Sequence, residues 1–250
     1  MSSSRIVSLA PSATATLAAL GVEDQVVGVT AHCELDRPTV GGWLNPDYET
    51  LADLSPDLVC TSDGLQEEIR DELRDRGYSL HHHEPGRLDD VLAGFESLAD
   101  AVGCPEAGAD LRADAERRLA AVDERVERAL ADSDHDQARP VVYCEEWSDP
   151  PMAAGNWVPD AVEAAGGRYP FVDPGDRSQE VDRETVAAAD PDHAVLHICG
   201  TGDQVSPDRL ADRGWELDAT VHVVDDSLLN QPSPRLLDGI ELLAERLFSR

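Results

Sequence analysis

Tryptophan is scarce in this chain, with four residues in 250, and three of them, Trp43, Trp147 and Trp157, sit near turn-like segments. An indole offers a large, rigid apolar face, so the clustering favours a site with large flat contacts. The competing reading is a Trp that closes its own core, and Trp157 reads more readily as packing for the helix that follows it. Glu145 and Glu146 are adjacent carboxylates, which invites comparison with the paired acids of glycosidases. Successive residues of an extended chain face opposite ways, however, so a polar contact from one of them to ligand amides is the better expectation. Asn156 closes the same segment, and Leu229, Asn230 and Gln231 precede the last helix, where the amides could donate to the same groups.

Metal-ligating residue types are present without a metal-site pattern. His32 and Cys33 share one loop; a neutral imidazole suits Co, Fe or Zn and a thiolate suits soft metals. A hydrogen bond or packing contact is the simpler role for both. Alternation places His81 and His83 on one face of a strand, a geometry that could hold a metal, with a solvated strand end as the plainer reading. Cys60, Cys144 and Cys199 follow strands, where unpaired Cys is ordinary core filling. The five cysteines are odd in number, scattered and free of CxxC spacing, so neither a disulfide framework nor a zinc site is expected. No metal is assigned. Together with the opening MSSSRIVSLAPS, which lacks an apolar run of signal-peptide length, this points to a reduced, cytoplasmic compartment, with an extracytoplasmic one as the alternative where a signal peptide has been removed. No run of about 18 apolar residues is present to span a membrane.

Those residues need elements to position them. From Glu106 to Ser133 the residues Leu111, Ala115, Leu119, Val122, Val126 and Leu130 recur at three- and four-residue steps, predicting one amphipathic helix roughly 35–40 Å long. Strand and helix patterns alternate on both sides of it. Asn45-Pro46 reads as the cap and first-turn proline of a helix over Asp47–Leu54. The expected fold is α/β: two lobes, residues 1–104 and 134–250, each a mainly parallel sheet flanked by helices, joined by a bridging helix at 105–133. Ligands of such sheets bind beyond the carboxyl ends of the strands. That rule selects the loops Leu9–Ser12, Thr30–Leu44, Thr61–Gly64, Glu145–Asn156, Cys199–Gly202 and Asp225–Ser233.

The charge balance excludes one class of partner. Fifty-one acidic residues face 20 basic ones, all Arg, for a net charge of −31 spread along the whole chain. A uniform acidic coat predicts adaptation to concentrated salt, where a Debye length of about 3 Å at 1 M screens the self-repulsion. Nucleic acid is not an expected partner, because no basic face is available for phosphates.

RIVSLAPSATATLAALG, VVGVT and NPDYETLADLSPDLV resemble the first lobe of the cobalamin- and siderophore-binding proteins of ABC importers. EEWSDPPMAAGNWVPDAVEAAGG, VDRETVAAADPD and NQPSPRLLDGIELL resemble the second. The resemblance spans nearly the whole chain and is closest to the cobalamin-binding branch. It implies two lobes on a rigid helical backbone enclosing a shallow cleft, with Trp43 at a position where an aromatic meets the corrin ring. His32 falls where such binders offer a Tyr, Ala15 where the family usually carries an acid, and Leu228 and Leu229 where it usually presents aromatics. Glu67 or Glu68 and Glu184 match the acids that dock on Arg residues of the permease. The expected function is therefore non-catalytic binding of a corrinoid, with no cofactor required, by a monomer that serves an ABC permease where it acts in transport. A ferric siderophore or haem is the alternative within the class, though the candidate loops offer little basic charge beyond Arg37 and Arg177. A metal-inserting tetrapyrrole enzyme using His32, Glu145 and Glu146 is the alternative outside it.

Overall fold

The computed structural model describes residues 4–131 and 139–249, and the chain divides into two compact units. The first comprises Met1–Pro85 with Val91–Asp114, the second Gly86–Asp90 with Ala115–Arg250.

In the first unit the apolar strands β1 (Ile6–Ser8) and β2 (Val26–Val29) are joined by α1 (Pro11–Ala19), which begins on a proline whose missing N–H costs a helix start nothing. The short strands β3 (Gly41–Gly42) and β4 (Asn45–Pro46) pair as an antiparallel hairpin. This corrects the predicted helix start. Asn45 and Pro46 belong to the hairpin, and the N-cap of α2 (Tyr48–Leu54) is Asp47, whose carboxylate accepts from the N–H groups of Glu49 at 2.9 Å and Thr50 at 3.1 Å. Then come β5 (Leu58–Ser62), α3 (Glu67–Asp75), β6 (Leu80–His83) and α4 (Leu88–Ala101). The sheet runs β2-β1-β5-β6, entirely parallel. Ile6, Leu17, Cys60, Leu98 and Ala99 pack one core, and Val7, Leu9, Leu51, Val59 and Leu73 pack another. Because the chain leaves β1 for β2 on one side and reaches β5 on the other, the carboxyl ends of β1 and β5 bound a topological switch point.

The long helix α5 runs from Pro105 to Ala131, 27 residues and roughly 40 Å. Residues 132 and 133 of the predicted span lie outside the described residues. Its first ten residues count with the first unit and the remainder with the second, so one continuous helix joins the two. The predicted apolar stripe is the packed one: Ala115, Val122 and Val126 are buried. Arg112 pairs with Glu96 of α4, and Arg118 with Glu241 of the last helix.

The second unit contains β7 (Val142–Ser148), β8 (Pro151–Ala153), α6 (Val158–Ala164), β9 (Gln179–Glu180), α7 (Arg183–Ala189), β10 (His193–Leu196), α8 (Arg209–Asp212), β11 (Thr220–Val223) and α9 (Arg235–Phe248). Its sheet runs β11-β10-β7-β8-β9. The first three strands are parallel; β8 and β9 extend the sheet antiparallel, an addition that the alternation of strands and helices did not announce. Leu236, Leu237, Ile240 and Leu243 of α9 are fully buried or nearly so.

Candidate functional site

Each unit carries one of the two candidate indoles on a tight hairpin at the carboxyl side of its sheet. In the first unit Gly41 pairs with Pro46 and Gly42 with Asn45, which leaves Trp43-Leu44 as the two-residue turn. Gly41 adopts φ +71°, a left-handed conformation that glycine enters without strain, and an added Cβ would lie 2.5 Å from the Asn45 carbonyl oxygen. Trp43 is half-buried against the core that contains Ile6 and Cys60, while Leu44 is 51 % exposed. Leu65, in the loop after β5, is 60 % exposed. A hydrogen bond from Gln66 Nε2 to the Trp43 carbonyl (2.7 Å) ties the loop after β5 to the hairpin tip. Sequence reading picked out only Trp43; an exposed Leu in a loop carries no periodicity to mark it.

In the second unit Trp147 lies near the end of β7, and Asp149-Pro150, a cis peptide, forms the turn to β8. Trp147 is 49 % exposed, and its indole N–H donates to the Asp149 carbonyl at 2.9 Å, which fixes the ring's edge and leaves its face to solvent. Beneath it lies a buried ionic cluster. Glu145 is wholly buried and accepts from Arg213 at both oxygens (3.1 and 2.6 Å), from Tyr143 Oη at 2.8 Å and from Ser148 Oγ at 2.6 Å. Arg213 also lies 3.9 Å over the Trp215 ring. Burial and the Glu145 charge push the Tyr143 phenol far above its usual range, so it remains a donor. The Glu145 carboxylate is thus engaged within the unit, and of the two adjacent acids Glu146 remains the candidate for a ligand amide.

Three other candidates turn inward. Trp157 is buried at 4 % exposure and donates its indole N–H to the Leu229 carbonyl at 2.8 Å. Leu229 is fully buried, close to the spot where Gly239 leaves room beside α9. Asn230 spends its amide on His197: Nδ2 donates to the His197 carbonyl at 2.9 Å, and Oδ1 bonds to His197 Nδ1. Sequence reading missed His197, since a polar residue at the end of an apolar strand looks like the strand's exit. Burial lowers its pKa to about 4, so the imidazole is neutral at pH 7, with Nδ1 donating to the amide oxygen.

The remaining candidates stand near the carboxyl edges. His32 is exposed, and Cys33 is half-buried with Thr14 Oγ1 donating to its sulfur at 3.1 Å. Glu146 and Gln231 are half-buried; Asn156 adopts φ +53° and exchanges backbone hydrogen bonds with Gly175 and Asp176. Arg37, held in reserve for an anionic ligand, donates instead to the carbonyls of Val26, Glu23 and Asp36. His81 and His83 do share a strand face, with ring centroids 6.5 Å apart against α4, and His81 bonds to Ser97. Burial, with the neighbouring imidazoles, lowers the His81 pKa to about 4. Among the described residues no group of three or more His, Cys, Asp or Glu side chains could hold a metal ion. Glu67 and Glu68 are exposed in the first turn of α3 and Glu184 in that of α7; Glu67 pairs with Arg70 at 2.9 Å.

Comparison with known proteins gives this arrangement its context. The chain is 25 % identical over 252 residues to the vitamin B12-binding protein of Vibrio cholerae, covering 95 % of this chain and 86 % of that protein. It is 28 % identical over 258 residues to the cobalamin-binding protein of Halobacterium salinarum, covering 96 % and 68 %. The periplasmic heme-binding protein of Roseiflexus sp. RS-1, solved in apo form, superposes with a TM-score of 0.83 at 25 % identity, covering 99 % of this chain and 98 % of that one. These matches overturn the cytoplasmic assignment, for the family and the superposed structure are periplasmic. Five scattered cysteines without disulfide-framework spacing suit either side of a membrane and do not fix the compartment. The periplasmic binding protein model matches residues 6–220, from the first sheet through the helix α5 to the start of β11, and the chain belongs to that family of solute-binding proteins rather than enzymes.

Proposed function

We propose that this protein binds a corrinoid, cobalamin or a precursor of it, and carries out no chemistry on it. The observation that carries the reading is the pair of indole hairpins: Trp43 with Leu44 in the first unit and half-exposed Trp147 in the second, each at the carboxyl ends of parallel strands. Rigid aromatic faces suit a macrocycle that is apolar over a wide area. Two relatives matched over nearly the whole chain are named for binding vitamin B12 or cobalamin, which supports the same ligand here. Glu146, Asn156 and Gln231 are the polar candidates for the ligand's amides, and His32 stands on the first unit's candidate loop. Haem is the second reading, supported by the superposed heme-binding structure. A ferric siderophore fits less well, because Arg37 is committed to backbone carbonyls. A metal-inserting enzyme is supported less, since Glu145, one of the two carboxylates it would use, is already ion-paired to Arg213.

The test is a titration of purified protein in high salt with cyanocobalamin, hemin and a ferric siderophore, followed by absorbance and Trp fluorescence. Saturable binding tightest for cyanocobalamin, weakened about tenfold or more by Trp147→Ala, is the expected result. Tighter binding of hemin would replace the corrinoid reading, and no response to any of the three would end both. We also propose a monomer, adapted to concentrated salt, that docks on an ABC permease through Glu67 or Glu68 and Glu184. Charge-reversing Glu68 and Glu184 should lower ligand-stimulated ATP hydrolysis by the cognate importer while leaving solution affinity for the ligand unchanged.

A further inference from the structure

Gln66 is a polar side chain with no exposure at all, placed where β5 hands over to α3. The local sequence puts it there. Asp63 takes φ +74° and accepts from the Leu65 N–H at 2.7 Å, which starts a single 3₁₀ turn over Gly64–Gln66, and α3 begins at the next residue. The Gln66 carboxamide is thereby driven into the switch point between β1 and β5. Its Oε1 accepts from the Ser62 N–H at 2.8 Å, and its Nε2 donates to the Leu9 carbonyl at 3.0 Å and to the Trp43 carbonyl at 2.7 Å. One side chain thus ties together the end of β1, the end of β5 and the tip of the β3–β4 hairpin.

The base of that hairpin has its own backbone bonds: Ala31 donates to the Gly41 carbonyl and Val40 to that of Val29. Its tip is a two-residue turn carrying an indole, and the bond from Gln66 is made at that tip. A buried amide donor without an acceptor is costly, so the carboxamide and the Trp43 carbonyl fix one another. Backbone held at the Trp43 carbonyl leaves the indole only its own two torsions. Immobilising a contact before the ligand arrives removes an ordering cost that would otherwise reduce affinity.

We propose that Gln66 is a positioning residue for ligand binding, acting through Trp43 by fixing the hairpin tip at the switch point of the first sheet. The proposal rests on the reading of Trp43 as a ligand contact, and two independent arms separate the failure of one from that of the other. The first arm needs no ligand. In a Trp147→Phe chain the remaining indoles other than Trp43 are buried, Trp157 at 4 % exposure and Trp215 at 8 %. Acrylamide quenching then reports mainly on Trp43. Gln66→Met should steepen that quenching about twofold with the circular-dichroism spectrum unchanged. Gln66→Glu is the second variant: it keeps the side-chain shape and the acceptor for Ser62 but sets an oxygen against two carbonyls, and should give the same effect. Unaltered quenching in a folded Gln66→Glu chain overturns the proposal.

The second arm is a double-mutant cycle on cyanocobalamin affinity. Gln66→Glu should weaken binding about tenfold in the otherwise unaltered chain and less than about twofold when Trp43 is already Ala. Equal losses in both backgrounds would mean that Gln66 supports the fold in general, and would overturn its action through Trp43. Should the unaltered chain take up no cobalamin, the corrinoid reading fails, and the quenching arm alone upholds or overturns the hold of Gln66 on Trp43.

Discussion

The buried ion pair of Glu145 and Arg213 shows what a single residue contributes. A carboxylate with no exposure is tolerated because four hydrogen bonds from Tyr143, Ser148 and Arg213 replace its water. Removing Arg213 alone would strand that charge, so Arg213→Ala should cost about 3–5 kcal/mol. Replacing both partners with apolar residues of similar volume, Glu145→Met with Arg213→Leu, should cost much less, because the desolvation penalty disappears with the charges. Urea unfolding in high salt checks both, and a single variant no worse than the double would contradict the account. His197 contributes in a different way. Burial holds its pKa near 4 against an ordinary value of 6.5. The folded state thus excludes a proton that the unfolded chain accepts. The resulting stability is present above pH 6.5 and is lost as pH falls toward 4, at about 1.4 kcal/mol per pH unit for each such proton. His81, also held near 4 by burial, adds to the same window. His197→Gln should reduce the slope of unfolding free energy against pH by up to one proton between those limits, and an unchanged slope would exclude His197 as the source.

Helices and long strands were legible from the sequence because they repeat. The stripe of Ala115, Val122 and Val126 in α5 carries a period that residue types alone disclose. The two-residue strands were not legible. Gly41-Gly42 against Asn45-Pro46 is too short to alternate, and its pairing depends on a glycine at φ +71°. Buried polar anchors were invisible for a related reason: Gln66 and His197 are identified by partners 57 and 33 residues away in sequence. The same dependence on neighbours reverses a propensity rule at Gly108. In an isolated helix Gly→Ala gains about 1 kcal/mol. Here a Cβ on Gly108 would lie 2.4 Å from the Ala99 Cβ and 3.2 Å from the Phe95 carbonyl oxygen, so α5 and α4 would have to separate within the first unit. Overpacking of that kind costs about 1–3 kcal/mol, and Gly108→Ala should lower stability despite the better helix former. Ala99→Gly in that background should restore part of the loss. A more stable Gly108→Ala protein would show that the helix contact has slack.

At the scale of the whole molecule the controlling quantity is the net charge of −31. Arginine fills all 20 of the Lys or Arg positions in the sequence, and several are committed to fixed pairs: Arg118 to Glu241 and Asp238, Arg213 to Glu145, Arg87 to Asp160, Arg76 to Glu72. Such pairs neutralise nearby acids and leave the excess acids repelling one another across the surface. Folding brings those charges together, so the compact state carries a repulsion that dilute buffer does not screen. The Debye length falls from about 10 Å at 0.1 M to about 3 Å at 1 M, shorter than most separations between surface carboxylates. The melting temperature should therefore rise steeply between those two concentrations, similarly in NaCl and KCl, and more slowly beyond. Replacing a set of exposed acids, among them Glu68, Glu184 and Asp218, by their amides should flatten the rise; a melting temperature that is level or falls with salt would exclude the account. The same field bears on the ligand, since a uniformly negative surface repels anions and leaves a near-neutral corrinoid unaffected. Across salt concentrations that keep the protein folded, corrinoid affinity should accordingly stay level, whereas an anionic chelate should bind more tightly as screening increases.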